Sequence, residues 1–563
     1  RACAAHRAYR VLCQRRMSSS PQPHDKLAVE GSPRGGSFGS SFSRQLEMVA
    51  KKREKDNEFH LMSQIQELSR QLEAERTRIK LESGGEAGGR LIVVANRLPV
   101  TPVKNANGEW ELKRSSGGLV SAFLGEPAPR SGSGIVGGRR ACAAELSGPS
   151  VLGVRDFSIT WVGWVGVEVP PEERQQLTTL LAAQQPFRCC PVYFDEETAD
   201  GYYNGFSNNV LWPLLHYIPL SMLDSHGDAA ERQWSCYQAA NAAFCDAVMS
   251  ISPTELDTVW VQDYHLMLLP QYLRDASPSL SIGWFLHTPF VIADMYLTLP
   301  HREEILRGVL GADLCGFHIY EYAQHFTSAC GQVLGIGGNT GVTQGPDGLF
   351  DHASRRSVAI DTFPIGIDPA PFERALDSSA VKDKIIDLQR RFDGKKVLLG
   401  IDRLDYVKGI PHKLKALEYF LGNYPAWRGK VVLVQIAVPS RTEVAGYQKL
   451  RANVHRLVSR INGTFGTLEY VPIHYLDQSM KFPELCALYY RADSMVVTSL
   501  RDGMNLVSFE YLACQTSKNA KGVLVLSEFA GAAQALGAGA LLVNPYNVAE
   551  VARAIDESLN MPA

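Results

Sequence analysis

The stretch VLLGIDRLDYVKG, residues 397–409, decides how the chain is read. Its first five residues, 397–401, are apolar or small without polar alternation, as expected of a strand buried on both faces of a parallel sheet. Arg403 and Lys408 follow just beyond the C-terminal end of that strand, the edge at which open α/β sheets bind ligands. Two cations there suit a diphosphate. Arg grips phosphate oxygens with a planar fork and Lys supplies a movable point charge, so the pair can neutralise a leaving group as charge builds on it. On this motif alone, a solvated surface pair is the alternative.

Outward from this stretch, short Val- and Ile-rich runs recur between helical segments, at 91–95, 259–262, 282–286, 358–363, 431–436, 494–498, 522–526 and 540–543. The alternation predicts an α/β protein with parallel sheets covered on both faces. PIGIDP, 364–369, interrupts the pattern before a charged helix expected over 377–391. Two Rossmann-like domains follow, 90–365 and 366–563. Upstream, 1–43 reads as a Ser-, Gly- and Pro-rich disordered tail whose first sixteen residues, with five arginines and no acid, have the composition of a targeting segment. Residues 44–83 carry Leu61, Ile65, Leu68, Leu72 and Ile79 at helical spacing, which predicts an amphipathic helix, either a short coiled coil through which copies of the chain associate or a helix lying on its own domain. The Gly-, Ala- and Arg-rich stretch 127–149 reads as a surface insertion.

Across 563 residues, Lys and Arg number 57 and Asp and Glu 59, so no charge excess favours nucleic acid or an anionic membrane. Anion binding must therefore be local. Eleven cysteines without a CxxC pair predict reduced thiols and a cytoplasmic location. No uninterrupted apolar stretch is long enough to span a bilayer. Neither a DxD pair nor zinc spacing of His and Cys occurs, which predicts no metal; the GxSxG spacing at 35–39 lies in the Ser-, Gly- and Pro-rich tail, away from any expected strand, and supports no hydrolase, and no P-loop segment occurs.

TSLRDGMNLVSFEYLA, 498–513, follows another strand with a turn and a helix start. Free backbone N–H groups around 503–506 can cradle phosphate or sugar oxygens. Asp502 can accept sugar hydroxyls, and Glu510, placed about two turns into the helix, ribose hydroxyls. In the first half, VANRLPV sets Arg97 behind a strand, and RSSGGLVSA brings Gly118 to a helix start. YYNGFSNNVLWPLLHY offers Tyr203 and Trp212 as sugar-binding walls, although aromatics at such spacing are more often core. VQDYHLM and FLHTPF place Asp263 and His287 at strand ends, where a carboxylate can orient an acceptor hydroxyl and an imidazole can bond the donor sugar or steady positive charge. Arg441, after QIAVPS, can clamp a phosphate.

Together with WVGWVG, RINGTFGTLEYVPIHYLD and LSEFAGAAQALGAGALLVNP, these segments resemble, in order over 91–561, the trehalose-6-phosphate synthases, closest to those of plant type. The resemblance implies the GT-B fold, with two Rossmann-like domains facing a central cleft. It implies transfer of glucose with retention from UDP-glucose to glucose 6-phosphate, without a metal cofactor or a protein nucleophile. The donor side would comprise Gly118, His287, Arg403, Lys408, Asp502, Glu510 and the backbone of Met504, Asn505 and Leu506. The acceptor side would comprise Arg97, Trp164, Tyr203, Trp212, Asp263 and Arg441. Three departures stand out: VIADMYLTLP after FLHTPF, the insertion before WVGWVG, and an end at Ala563 where members of the family continue into a helix crossing back to the first domain. A catalytically silent sensor of glucose 6-phosphate is the competing reading, opposed by the intact donor residues. A polymer-extending GT-B enzyme is a third, opposed by the pairing of Arg97 with Arg441.

Overall fold

The computed structural model describes residues 89–114, 158–184, 187–220, 228–337, 340–345, 347–440, 445–516 and 522–561. The expected tail, the helix at 44–83, the insertion at 127–149, Gly118 and Arg441 lie outside the described residues. From Arg90 onward the chain forms one compact unit.

Strands run β1 (Leu91–Arg97), β2 (Val100–Lys104), β3 (Trp110–Arg114), β4 (Ile159–Trp164), β5 (Arg188–Val192), β6 (Thr258–Gln262), β7 (Ser281–Phe285), β8 (Leu314–Phe317), β9 (Val342–Gly345), β10 (Gly348–Asp351) and β11 (Arg356–Thr362). After them come β12 (Lys396–Arg403), β13 (Val431–Val438), β14 (Ile473–Leu476), β15 (Ser494–Val497), β16 (Val523–Ser527) and β17 (Leu541–Val543). The first sheet has the order β5-β4-β1-β6-β7-β8-β11-β10-β9 and the second β14-β13-β12-β15-β16-β17, with β2 and β3 as a separate hairpin. In each sheet the strand order reverses beside the first strand, between β1 and β6 and between β12 and β15. Those two crevices are where a doubly wound sheet binds ligands.

The second sheet shows why its strands read as unbroken apolar runs. Val397, Leu399 and Ile401 enter one core with Val434, Val497 and Leu526, while Leu398 enters another with Leu433, Val496 and Val525. Alternate residues face opposite layers, and both layers are helical.

Three expectations need correction. The first sheet is not parallel throughout, since β10 runs antiparallel to β9 and β11. The few residues joining these strands leave no room for the crossover a parallel pair requires. The charged helix expected over 377–391 begins two residues later, as Ser379–Arg391, because Ser378, whose extended backbone and side-chain acceptance from Val381 N make it an N-cap, parts it from a preceding helix Ala370–Asp377. Glu510 is about one turn into its helix, not two, because that helix begins at Leu506. Strands β2, β3, β4, β5, β8, β9, β10 and β14 lay outside the expected runs. They are short, and several carry Gly, Cys or Pro.

One element has no counterpart in simple periodicity. Asp200–Leu211 forms a π-helix that passes directly into the helix Trp212–Leu215. A Cβ on Gly201 or Gly205 would meet Cys236 Sγ or Gln233 Cγ at 2.6 Å, so these two glycines let the wide helix lie against Asp228–Ser250. Tyr203 and Trp212 are thereby carried to the β1–β6 crevice.

Candidate active site

The C-terminal ends of β1 and β12 face one cavity of about 530 Å³. Arg97 is the last residue of β1 and, after a register shift between Ala95 and Arg97, pairs with Trp164, the last residue of β4. Its guanidinium lies 4.0 Å from the Trp164 ring centroid and 5.2 Å from that of Tyr203. A Cβ at Gly166 would overlap that guanidinium, so the turn after β4 must be glycine for Arg97 to hold this position. Burial lowers the Arg97 pKa, while Tyr203 opposes the shift; the guanidinium stays charged. Trp164 and Tyr203 therefore stand behind Arg97 as its support.

Asp263 follows β6 with φ 72° and ψ 175°, a region costing a non-glycine residue about 1–3 kcal/mol. Its N–H donates to Phe285 O at 2.7 Å and its Oδ1 accepts from His287 N at 3.2 Å. Such strain, over-determined by neighbours, turns the carboxylate toward the cavity wall. His287 Nε2 lies 2.9 Å from Gln262 Oε1, and since the amide oxygen only accepts, Nε2 carries the proton. Burial, with the nearby His318, drives the His287 pKa far below its ordinary value. The neutral ring then offers Nδ1 as an acceptor, which favours its expected role toward a sugar hydroxyl over the expected steadying of positive charge.

On the second sheet, Arg403 ends β12 and its guanidinium lies 5.2 Å from the ring of Trp212, contributed by the first half of the chain. Lys408 closes the short turn Tyr406–Lys408, capped by Asp405. Its Nζ is 2.6 Å from Asp502 Oδ2, and the same oxygen accepts from Ser499 Oγ at 3.2 Å and Asn505 Nδ2 at 3.1 Å. Burial pushes the Asp502 pKa up, but the Lys408 charge and the hydrogen bonds from Lys408 and Asn505 overcome it and hold the carboxyl below its ordinary value. Asp502 O accepts from Tyr322 Oη at 3.1 Å and Gly531 N at 2.9 Å. A Cβ on Gly503 would overlap the His287 carbonyl oxygen, so glycine is required for the two halves to touch here.

Asn505 caps the helix Leu506–Thr516 through Ser508 N at 3.0 Å, while Met504 and Leu506 reach the cavity. Glu510 stands outside it, one turn on, with Oε2 accepting from Tyr489 Oη at 2.6 Å. Thus Arg97, Trp212, Asp263, His287, Arg403, Lys408, Asp502, Met504 and Leu506 line one cavity. Trp164, Tyr203 and Asn505 stand behind these lining residues.

Three imidazoles on the cavity escaped sequence reasoning as candidates: His216, His265 and His318. His216 Nδ1 lies 2.7 Å from Trp212 O and its ring 4.1 Å from the indole. Burial pushes both His216 and His318 down to about 4. His216 and His265 sit inside quoted motifs, but His318 follows β8, a strand too short to be noticed. Among the described residues, no cluster of three or more His, Cys, Asp or Glu is arranged to hold a metal ion, and no helix is long and apolar enough to cross a membrane.

Comparison with known proteins agrees with this geometry. Residues 89–563 match the profile of Glycosyltransferase family 20. The chain is 50% identical over 476 residues to Arabidopsis thaliana alpha,alpha-trehalose-phosphate synthase [UDP-forming] 1, covering 84% of this chain and 46% of that one. It thus spans about half the length of that relative. Two solved structures are similar at 30% identity over 84% of this chain. One, from E. coli, is described as bound with UDP-2-fluoro glucose, with a TM-score of 0.69 and 92% of its chain covered. The other, an alpha,alpha-trehalose-phosphate synthase (UDP-forming) from Burkholderia xenovorans in complex with glucose-6-phosphate, gives 0.68 and 93%. With a family profile covering both sheets and a cavity built from the ends of each, the chain belongs to glycosyltransferase family 20.

Proposed function

We propose that the chain transfers glucose from UDP-glucose to glucose 6-phosphate with retention, forming α,α-trehalose 6-phosphate and UDP. The observation that carries this reading is the facing of Arg97 against Arg403 and Lys408 across one cavity, which offers separate sites for two anionic substrates. The names of the relatives support the same substrates.

In this reading 366–563 is the donor side and 90–365 the acceptor side. Arg403, Lys408 and the N–H groups of Met504, Asn505 and Leu506 neutralise the diphosphate as its bond to glucose breaks, a task that electrostatic preorganisation performs well in a water-poor cavity. Gly118 lets backbone approach the same phosphates. Asp502 and His287 bond the glucose hydroxyls, and Glu510 the ribose. Arg97 and Arg441 hold the phosphate of the acceptor against Trp164 and Tyr203, while Trp212 and Asp263 orient its sugar. Asp502 is committed to Lys408 and Asp263 to the His287 backbone, which supports a mechanism without a protein nucleophile. The departing phosphate takes the acceptor proton on the face it leaves. No metal is required for this division of labour, because the side chains already supply the positive charge.

The eight described cysteines are free, which supports a reducing compartment, the cytoplasm. Association through 44–83 belongs to the same proposal and is tested by sizing the chain with and without residues 1–88. For the reaction, UDP-glucose and glucose 6-phosphate are mixed with the protein and products identified. Trehalose 6-phosphate and equimolar UDP are expected; UDP release that ignores glucose 6-phosphate would overturn the reading.

A further inference from the structure

Tyr489 lies in the helix Phe482–Arg491, fully buried in the apolar layer beneath the second sheet. A phenylalanine would fill that site equally well, and a buried hydroxyl is retained without penalty only where it finds a partner. Its partner is Glu510, at 2.6 Å. The Tyr489 backbone is tied to the same neighbouring helix, its carbonyl accepting from Gln515 Nε2 at 2.6 Å. Phenol and carboxylate are therefore held in fixed relation from two points.

Glu510 lies four residues after Leu506, so it shares the helix face on which Leu506 lines the cavity. Among the described residues its one side-chain partner is Tyr489, which occupies Oε2 and leaves Oε1 to a ligand. We infer that Tyr489 is a positioning residue that keeps Glu510 an oriented, acceptor-only group and so sets the preference for a nucleotide carrying free ribose hydroxyls. The inference rests on the donor-side reading of Glu510 given above. A protonated or rotated carboxyl would lose this selectivity, because it would present a donor or an ill-aimed lone pair.

The electrostatics agree. Burial pushes the Glu510 carboxyl up, and the Tyr489 hydrogen bond pulls it back. The other titratable neighbours are Cys514, one turn on, and Cys486 beside Tyr489; the Cys514 thiol is pushed up by its hydrogen bond with Cys486 and by burial, so it stays neutral. The helix Ala370–Asp377, packed against the same helix, carries Glu373, Arg374 and Asp377.

The test measures binding of UDP and of 2′,3′-dideoxyuridine diphosphate by calorimetry between pH 5.5 and 8.5, on the full chain and on Tyr489→Phe, Glu510→Gln and the double variant. Tyr489→Phe is expected to weaken UDP about tenfold, the scale of one hydrogen bond to a charged group, with little effect on the dideoxy compound. Its acid limb of UDP binding should move to higher pH. On the Glu510→Gln background, Tyr489→Phe should add nothing to the loss. An unchanged ribose preference and pH profile in Tyr489→Phe would overturn the inference, as would equal losses for both nucleotides. Failure of the unaltered chain to bind UDP would instead remove the donor-site reading and this inference with it.

Discussion

Lys408 Nζ rests 2.6 Å from Asp502 Oδ2, joining the turn after β12 to the loop after β15 at the crevice where the strand order reverses. Both side chains are largely withdrawn from water, and three donors converge on that single oxygen. Removing the ammonium strands the carboxylate. Lys408→Met should cost about 3–5 kcal/mol in urea unfolding at pH 7. The Asp502 pKa is held below its ordinary 3.8, so the stability it contributes is complete above that value and lost as pH falls through the lower folded value. In the variant only the hydrogen bonds from Ser499 and Asn505 and the nearby His216 oppose burial, so this acid-side loss of stability should shrink.

Gly503→Ala would drive a Cβ into the His287 carbonyl oxygen and separate the donor loop from the first half of the chain. Steady-state kinetics should show kcat/KM lower by about 100-fold, the scale of a misplacement near 1 Å. Unfolding should report a smaller loss, about 1–3 kcal/mol, typical of overpacking.

Arg97 and Arg403 serve different anions in the proposed reaction. Arg97→Ala should raise KM for glucose 6-phosphate about 10- to 100-fold and Arg403→Ala should do the same for UDP-glucose, each with a lesser effect on the other substrate. Arg403→Lys should recover only part of the loss, since the ammonium lacks the planar fork. Equal effects on both constants would speak against two separate sites.

Buried neutral histidines make the fold acid-sensitive. His216 and His318 are pushed down to about 4 by burial, so from their ordinary 6.5 down to that value the unfolded chain binds protons that the folded one refuses. Their contribution, about 3 kcal/mol each, is complete above pH 6.5 and lost as pH falls from 6.5 toward 4. Asp405, Asp502 and Lys408 face His216, and Asp502 faces His318. Melting temperature should be level above pH 7 and decline below it, and His216→Phe should make that decline shallower.

Arg403 and Lys408 already place two positive charges where the diphosphate is proposed to lie. Product formation should therefore keep at least about half its rate in excess EDTA, whereas loss of a catalytic metal would remove several kcal/mol of charge stabilisation and abolish it.

The alternation of apolar runs with helices made the α/β class legible, and the two polar clusters stood out because Arg97, Asp263, His287 and Arg403 all end or follow such runs. Elements without a clean period were harder to see. β8 is four residues of Leu, Cys, Gly and Phe, so the strand that delivers His318 left no pattern. The π-helix at Asp200–Leu211 depends on two glycines meeting Cys236 and Gln233 on another helix, a contact that no spacing within the segment encodes.

By itself, the sequence determined which side chains stand at the C-terminal ends of the strands, because strand and helix periods act over neighbouring residues. It could not determine which of them meet. Lys408 and Asp502 are 94 residues apart, Trp212 reaches Arg403 from the other sheet, and Gly503 touches His287 across the cleft. The first is decided by which strands lie side by side in the second sheet and the other two by how two separately packed sheets rest on one another, and both depend on long-range burial and close packing rather than on any local pattern.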